Sequence, residues 1–502
     1  MRCEPLLLAV AALAAAPAPA GQAPPTLQQQ LESILSEPEY ARALAAFEVR
    51  DLETGRVLAS RGSERLVQPA STLKLLVTAA ALDAFGPQSR FATSLESAAR
   101  IDEDGRLLGD LYLVGGGDLG LSNRFGAGRS SVGLEELAAA LDAAGIRRVE
   151  GRVVGHDGLF DPERHPEGWD WDDLVWSYGA SISALSFADN SAHLQARTGS
   201  RVGAPLSIER DPVSDYYQVV SSAVTGPRRS RPELKLTREL GSNRIELSGT
   251  WPLGASPWKG SVALEDPPLY AATVLTEVLQ RRGVGVAQPA AANRQPLPEE
   301  RRVLARHPGP PLAELLAELN KESLNLHAEV LLRLLGASAG GPGSAESGRE
   351  TLEAFLVARG VDTTGWALRD ASGLSEANLV SAAGLVELLV AMDRHPHAAV
   401  FRASLPVAGV DGTLERRLRQ QPVRGRVQAK TGTLRHVHAL AGYATTVWGT
   451  RRAFAVVLNH YTGRLGRRAI DRVAAAIVGA GPAASSPEQP LAETPRPGRG
   501  RR

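Results

Sequence analysis

The sequence contains very little cysteine and lysine, and it has no long apolar run beyond its first residues. The single cysteine, Cys3, excludes an intrachain disulfide and a cysteine-based zinc site. The 56 basic and 55 acidic side chains leave a net charge of +1, which argues against a protein that mainly coats nucleic acid. Only five of the basic residues are lysines, so each lysine raises the question of why arginine would not serve there.

Residues 1–20 are typical of an export signal. Arg2 precedes the apolar run Leu6–Ala16, and Ala18-Pro19-Ala20 offers small residues for cleavage. The run is shorter than the about 20 residues that a permanent membrane helix needs. We therefore expect a protein without a transmembrane anchor, located in the periplasm or otherwise outside the cytoplasmic membrane. An uncleaved N-terminal helix is the alternative interpretation.

The other end of the chain, residues 481–502, is rich in proline, serine and glycine and has no periodic apolar face. We expect this segment to be a disordered tail, because it cannot bury enough apolar surface to offset its ordering entropy. We expect a solvated tail without a partner, and weak association of its arginine cluster with anionic envelope polymers or lipid headgroups is the alternative.

The length of 502 residues predicts more than one domain, because single cores stop growing at about 250–300 residues. A hairpin pattern at residues 44–60, a helical pattern at 312–335 and strand and helix patterns at 427–477 predict one α/β (α+β) domain closed by the C-terminal part. The residues between form short alternating runs, which predict insertions. The expected parts are a catalytic domain (25–94 and 306–480), an inserted domain II (95–195 and 255–305) and a β-rich inserted domain III (196–254).

The strongest chemical signal is a series of three short motifs. They are Ser71-Thr72-Leu73-Lys74, Ser323-Leu324-Asn325 and Lys430-Thr431-Gly432. A serine at the start of a helix lies near free backbone N–H groups, which favour a developing oxyanion. A lysine three residues later lies on the same helix face, and it can act as a base because it can lose its proton, which arginine does not. Burial and a second cation would lower the pKa of Lys74, and Lys430 is a candidate for that cation.

A second S-x-x-K match, Ser256-Pro257-Trp258-Lys259, lacks these features. Proline follows its serine, glycine follows its lysine, and no helical apolar pattern comes after it. We predict a loop without a catalytic role there. For Ser71 the simpler alternative is a helix N-cap.

Over residues 28–480 the chain resembles the low-molecular-mass penicillin-binding proteins of the D-Ala-D-Ala carboxypeptidase/endopeptidase type, in the class with two inserted domains. The three motifs are closely similar to the set S-x-x-K, S-D-N and K-T-G of penicillin-binding proteins and serine β-lactamases. The 252 positions from Ser71 to Ser323 fit that class, whereas a simple serine β-lactamase has no such insertion. Further similar segments are Asn320–Asn325 with Ala328-Glu329, Leu405–Leu414, Tyr178–Ala180, Ser183–Leu185, Asp189-Asn190 and Gly116–Asp118. The resemblance implies a penicillin-binding/serine β-lactamase-like catalytic domain.

The resemblance also implies roles for the catalytic residues. Ser71 would attack the carbonyl of the penultimate D-Ala and form an acyl-enzyme, and Lys74 would accept its proton. Ser323, with Asn325, would pass the proton to the departing D-Ala amine and hold the substrate amide. Peptidoglycan stem peptides are the implied substrates, β-lactams are the implied inhibitors, and no metal or cofactor is implied.

The third motif and its neighbours are implied to bind the substrate. Lys430 would help to fix the terminal carboxylate, with hydrogen bonds from Thr431 and Thr433, and Gly432 lies between these two threonines. The backbone N–H groups of Ser71 and Thr433 would form the oxyanion hole.

Two acidic positions concern the stem peptide. Asp173 resembles the residue whose carboxylate faces the free amino group of the stem's diamino acid; the adjacent Asp172, or an exposed acidic loop without a ligand, are the alternatives. The segment Asp370–Ser375 resembles a family segment D-G-S-G-L-S-R, but Ala371 replaces glycine and Glu376 stands where arginine is usual. This departure leaves the preferred stem chemistry open.

Two other functions remain open at this point. A β-lactamase would turn over a chromogenic cephalosporin rapidly instead of forming a slowly hydrolysed acyl-enzyme. A non-catalytic peptidoglycan-binding envelope protein would bind muropeptides without releasing D-Ala, but it would not need a titratable Lys74.

Overall fold

The computed structural model describes residues 25–463 and 466–481. The expected export signal lies outside these residues, as does the expected tail apart from Gly481. None of the helices within the described ranges is long and apolar enough to cross a membrane.

The described residues form both helices and strands throughout. The α-helices are α1 (Leu27–Leu35), α2 (Lys74–Phe85), α3 (Val132–Ala143), α4 (Pro267–Arg281), α5 (Leu312–Glu322), α6 (Asn325–Ser338), α7 (Ala345–Ala358), α8 (Ala382–Asp393), α9 (Ala398–Ser404) and α10 (Gly466–Gly479). The strands are β1 (Leu44–Asp51), β2 (Val57–Arg61), β3 (Leu66–Val67), β4 (Ala92–Ser97), β5 (Arg106–Leu107), β6 (Leu111–Gly115), β7 (Arg148–Val149), β8 (Val153–His156), β9 (Ser191–Arg197), β10 (Ser207–Asp211), β11 (Gln218–Ser221), β12 (Val224–Gly226), β13 (Lys235–Arg238), β14 (Arg244–Ser248), β15 (Thr250–Pro252), β16 (Trp258–Ala263), β17 (Gly285–Val286), β18 (Ala291–Asn293), β19 (Arg302–Pro308), β20 (Val380–Ser381), β21 (Val427–Leu434), β22 (Val437–Thr445) and β23 (Arg451–Asn459).

A five-stranded antiparallel sheet joins the two ends of the chain in the order β2-β1-β23-β22-β21. Its strands alternate between two cores, because successive side chains of a strand point to opposite faces. On β23, Val456 packs into the core that contains residues of α1 and α10, and Val457 packs into the core that contains residues of α2 and α5–α8. The hairpin β1–β2, the last three strands and the final helix agree with the sequence-based prediction, and the α+β fold class is confirmed.

The residues between α2 and α5 form a second mixed sheet, in the order β18-β8-β6-β4-β19. Helices α3 and α4 pack on it and share a separate hydrophobic core with the smaller sheets of residues 191–263. The predicted boundaries at residues 94/95 and 305/306 fall within β4 and β19, which pair with each other, and the boundary at 195/196 falls within β9. The strand pairing therefore crosses these boundaries, and the division into domains remains a proposal.

Two local breaks in helical structure place the motif serines. Ser71 lies in a 3₁₀ turn, Ala70–Leu73, and α2 begins at Lys74. The predicted helix at 312–335 is two helices, α5 and α6, separated by Ser323 and Leu324. Both breaks lie beside the edge strand β21, since β21 contacts the 3₁₀ turn and Lys430 reaches Ser323.

Candidate active site

The first motif is held between two close backbone approaches. Gly373 has a φ of +74°, and a Cβ atom at this position would lie 2.0 Å from the carbonyl oxygen of Ala70. On the other side, a Cβ atom at Gly432 would lie 2.7 Å from the carbonyl oxygen of Pro69. Glycine is therefore required at both positions for the 3₁₀ turn that carries Ser71 to fit between β21 and the segment around Gly373.

Lys74 lies within hydrogen-bond distance of the nucleophile candidate. Its Nζ is 3.0 Å from Ser71 Oγ and 2.7 Å from Asn325 Oδ1, and it also donates to the carbonyl oxygen of Ser372. The first turns of α2 are buried on all sides, so the ammonium group is removed from water. This geometry is that of a serine paired with a base.

The electrostatic surroundings of Lys74 favour its neutral form. Burial lowers the pKa of Lys74 to about 7, although the nearby carboxylates of Asp370 and Glu329 act in the opposite direction. A pKa near neutrality allows the amine to accept a proton from a hydroxyl and then to return it.

The break between α5 and α6 positions the residues of the second motif. Ser323 ends α5 in a left-handed conformation, with φ 62° and ψ 44°, and Asn325 is the first residue of α6. Both polar atoms of the Asn325 side chain form hydrogen bonds. Its Oδ1 accepts from Lys74 Nζ, and its Nδ2 donates to the carbonyl oxygen of Tyr178 at 2.8 Å. Tyr178 belongs to the insertion, so this hydrogen bond connects the insertion to the motif.

The third motif lies at the edge of the central sheet. Lys430 is fully buried, and its Nζ donates to Ser323 Oγ at 2.8 Å and to the carbonyl oxygen of Thr431 at 3.0 Å. Burial, followed by the neighbouring charge of Lys74, holds the pKa of Lys430 well below its ordinary value. Thr431 donates its hydroxyl to Thr413 Oγ1 at 2.8 Å, and the hydroxyl of Thr433 lies 3.2 Å from His438 Nδ1.

The predicted residues surround a cleft of about 360 Å³. The structure brings Ser71, Ser323, Asn325, Thr433 and Asp173 to its wall. Lys74 contacts Ser71 and Asn325 from below the surface, and Lys430 contacts Ser323. Thr431 does not line the cleft; its hydroxyl faces Thr413. The complete lining consists of Ser71, Gly168, Asp170, Asp173, Tyr178, Ser323, Asn325, Gly373, Leu374, Glu376, Thr433, Leu434 and Arg435.

One wall of the cleft is acidic. Asp170 and Asp173 come from the insertion, and Glu376 faces them from the segment after Gly373. Asp173 accepts a hydrogen bond from Tyr178 Oη at 3.0 Å, but burial and the neighbouring carboxylates, Asp172 first, raise its pKa. A cation bound at this wall would relieve that repulsion.

Two buried carboxylates, Asp370 and Glu329, lie near Lys74, and the sequence motifs imply no role for either. Asp370 accepts from the backbone N–H groups of Gly373, Leu374 and Ser375 and from the Trp169 indole. Asp370 therefore fixes the loop beside Ser71. An acid followed by closely spaced small and polar residues is a signal for such a loop.

The second of these carboxylates, Glu329, accepts from the backbone N–H groups of Ala371 and Ser372. Burial, together with the charge of Asp370, raises the pKa of Glu329 to about 7. An acid in the middle of the apolar helix α6 was the available signal that this carboxylate is buried.

The decoy motif lies elsewhere. Ser256 is an exposed loop residue before β16, its carbonyl oxygen accepts from the Trp251 indole, and it does not line the cleft. Lys259 is exposed on β16.

A serine hydrogen-bonded to a buried lysine on this α+β fold is the arrangement of a serine acyl-transfer enzyme. The model of the D-Ala-D-Ala carboxypeptidase 3 (S13) family matches residues 27–477, and the chain belongs to this family.

Individual relatives agree with this assignment. The chain is 35% identical over 448 residues to D-alanyl-D-alanine carboxypeptidase of Actinomadura sp. (strain R39). The aligned region covers 87% of this chain and 81% of the relative. It is 27% identical over 420 residues to D-alanyl-D-alanine carboxypeptidase DacB of Haemophilus influenzae, covering 83% of this chain and 85% of the relative.

The fold is similar to that of penicillin binding protein 4 (dacB) from Haemophilus influenzae, whose crystal structure superposes with a TM-score of 0.75 at 26% sequence identity. The match covers 89% of this chain and 98% of that chain. The structure of the same protein complexed with a β-lactam gives a TM-score of 0.69 at 25% identity, covering 88% of this chain and 96% of that chain.

Proposed function

We propose that the protein is a serine-type D-Ala-D-Ala carboxypeptidase/endopeptidase that cleaves peptidoglycan stem peptides and their cross-links through an acyl-enzyme on Ser71. The observation that carries the proposal is the 3.0 Å hydrogen bond between Ser71 and the buried Lys74, whose pKa lies at about 7. Membership of the family supports the substrate class.

In the proposed first step, Ser71 Oγ attacks the carbonyl carbon of the penultimate D-Ala while its proton passes to Lys74 Nζ. The negative charge on the carbonyl oxygen is stabilised by the backbone N–H groups of Ser71 and Thr433. The C–N bond then breaks as Ser323 passes the proton that Lys74 accepted to the leaving D-Ala amine, and Lys430 contacts Ser323 at 2.8 Å. The products are an ester on Ser71 and a released amine.

In the second step, water attacks the ester carbon and gives a proton to Lys74. The bond from that carbon to Ser71 Oγ then breaks, Ser71 takes the proton back from Lys74, and the shortened peptide leaves with a new carboxylate. Lys430, Thr431 and Thr433 hold the terminal carboxylate of the substrate in this proposal, and Gly432 keeps β21 close to the nucleophile. Because peptidoglycan lies outside the cytoplasmic membrane, we place the enzyme there, as the predicted export signal does.

The test is labelling of the purified protein with a fluorescent penicillin. We expect a single stable label that Ser71→Ala removes and that the matched control Ser256→Ala retains. The parent protein should also release D-Ala from a soluble pentapeptide. Label that persists in the Ser71→Ala variant, or label found at Ser256, would contradict the assignment.

A further inference from the structure

A concave basic surface lies on the side of the molecule formed by α10, by the segment after Leu414 and by the residues that follow α1. Its volume, about 770 Å³, is roughly twice that of the cleft. Six arginines and three carboxylates line it, and we call this surface the arginine groove. The arginines are Arg416, Arg417, Arg419, Arg467, Arg468 and Arg472, and the carboxylates are Glu37, Glu39 and Asp471.

Within residues 25–463 and 466–481, four of the six arginines have no carboxylate partner. Arg417 pairs with Asp471 at 2.6 Å and Arg472 pairs with Glu37 at 2.7 Å. In contrast, four exposed guanidinium groups are not within ion-pair distance of any acid in the part of the chain that the structure describes: Arg416, Arg419, Arg467 and Arg468. The groove therefore has a positive charge that its own carboxylates do not neutralise.

The arginine groove is connected to the cleft by a short series of contacts. The hydroxyl of Thr433, which lines the cleft, lies 3.2 Å from His438 Nδ1, and the ring of His438 lies 5.6 Å from the ring of Tyr461. The Tyr461 ring packs so closely on Gly466 that a Cβ there would lie 2.5 Å from it, and Gly466 is followed directly by Arg467.

The electrostatics support this proximity. Burial, with the positive charges of Arg467 and Arg417, lowers the pKa of His438 to about 4. The two arginines therefore act on a residue that contacts the cleft, and Arg435 adds a further positive charge at the cleft wall.

The chemistry of the groove fits an extended polyanion. Planar guanidinium groups bind carboxylates through paired hydrogen bonds. Among the described residues, none of the large exposed apolar side chains lines the groove, so it lacks what a surface needs for insertion into a bilayer. A peptidoglycan strand presents stem carboxylates at intervals along its length.

We propose that the arginine groove binds the carboxylates of neighbouring stem peptides on the peptidoglycan strand whose stem occupies the cleft, so that polymeric peptidoglycan is preferred over a soluble peptide. This inference rests on the proposed function. The preference should be largest at low ionic strength, because salt screens interactions between exposed charges.

The test compares two substrates in the full-length protein: a soluble pentapeptide and un-cross-linked polymeric peptidoglycan with pentapeptide stems. For Arg416→Glu/Arg468→Glu we expect kcat/KM on the polymer to fall about tenfold or more at low salt, as electrostatic steering is lost. Neither arginine acts on His438, so release of D-Ala from the soluble pentapeptide should stay within about twofold of the parent. The charge-conserving Arg416→Lys/Arg468→Lys should keep most of the polymer activity.

Two further variants make the outcome decisive. Arg416→Gln/Arg419→Gln tests the same groove from the segment after Leu414 alone, so a folding defect in α10 would not hide the effect. Arg201→Glu/Arg282→Glu, at exposed positions outside the groove, makes the same change in net charge as the double glutamate variant of the groove. Equal losses on the polymer in the control and groove variants, or no loss in either groove variant, would overturn the proposal.

Binding separates this proposal from the proposed function. Co-sedimentation with insoluble peptidoglycan does not require catalysis, so it reports on the groove even if the parent protein released no D-Ala. We expect binding to survive removal of phosphate-bearing polymers from the peptidoglycan by hydrofluoric acid. Loss of binding after that treatment would overturn the carboxylate assignment in favour of a phosphate polymer.

Discussion

Lys74 is the residue on which the proposed chemistry depends, and its protonation is set by opposing effects. Burial lowers its pKa, and the buried carboxylates of Asp370 and Glu329 limit that fall to about 7. Without these carboxylates the amine would be neutral at lower pH but a weaker base. With a pKa near neutrality, a substantial fraction of Lys74 is neutral at physiological pH, and the neutral amine is still a strong enough base to accept the proton of Ser71.

Glu329→Gln should move this balance. Where Glu329 is charged, its carboxylate stabilises the ammonium form of Lys74, so its removal lowers the pKa of Lys74. Because the pKa of Glu329 is itself raised to about 7, this carboxylate is largely protonated at pH 6, and the variant should match the parent there. We expect penicillin acylation near pH 7 to be faster by up to about twofold, with little change at pH 8, so that the midpoint of the acid limb moves to lower pH.

The matched control for this prediction is Glu353→Gln, an exposed residue of α7 that should leave the profile unchanged. An acid limb that stays in place in Glu329→Gln would show that this carboxylate does not act on Lys74.

At the scale of elements, the break between α5 and α6 carries the candidate catalytic residue Ser323 in a strained backbone conformation. Ser323 is a non-glycine residue in the left-handed region, which costs roughly 1–2 kcal/mol. The strained turn aims the hydroxyl of Ser323 at Lys430.

Replacement of Ser323 separates these two contributions. Ser323→Ala and Ser323→Gly should both acylate slowly, because both lack the hydroxyl. Ser323→Gly should be more stable than Ser323→Ala by about 1 kcal/mol, since glycine adopts this conformation freely. Urea unfolding of the two variants measures the difference, and equal stability would mean that the turn is not strained.

The same break shows what the sequence could predict. The apolar spacing over 312–335 predicted the helix on both sides of the motif Ser323-Leu324-Asn325. The conformation of Ser323 could not be predicted, because it depends on contacts with β21, which is about 100 residues away. The chemical residues were identifiable from short motifs, whereas the buried carboxylates Glu329 and Asp370 acquire their role only by packing against Lys74.

For the whole molecule, the insertion is part of the candidate active site rather than an independent attachment. It supplies Gly168, Asp170, Asp173 and Tyr178 to the cleft wall, and the carbonyl oxygen of Tyr178 holds the Asn325 side chain. The three motifs lie on the central sheet and on the turn and helices packed against it, while the acidic wall comes largely from the insertion, which has a separate hydrophobic core.

This division of labour predicts that Asp173→Asn alters substrate choice without altering the chemistry. Loss of the carboxylate should lower kcat/KM about tenfold for a pentapeptide whose diamino residue has a free side-chain amine, because a partly buried charge pair is lost. Acylation by penicillin, which lacks that amine, should change less than about twofold. Asp172→Asn, an exposed neighbour that does not line the cleft, is the matched control. Acetylation of the substrate amine should abolish the difference between the parent and Asp173→Asn, and a difference that persists on the acetylated peptide would mean that Asp173 supports the fold of the wall and does not bind the amine.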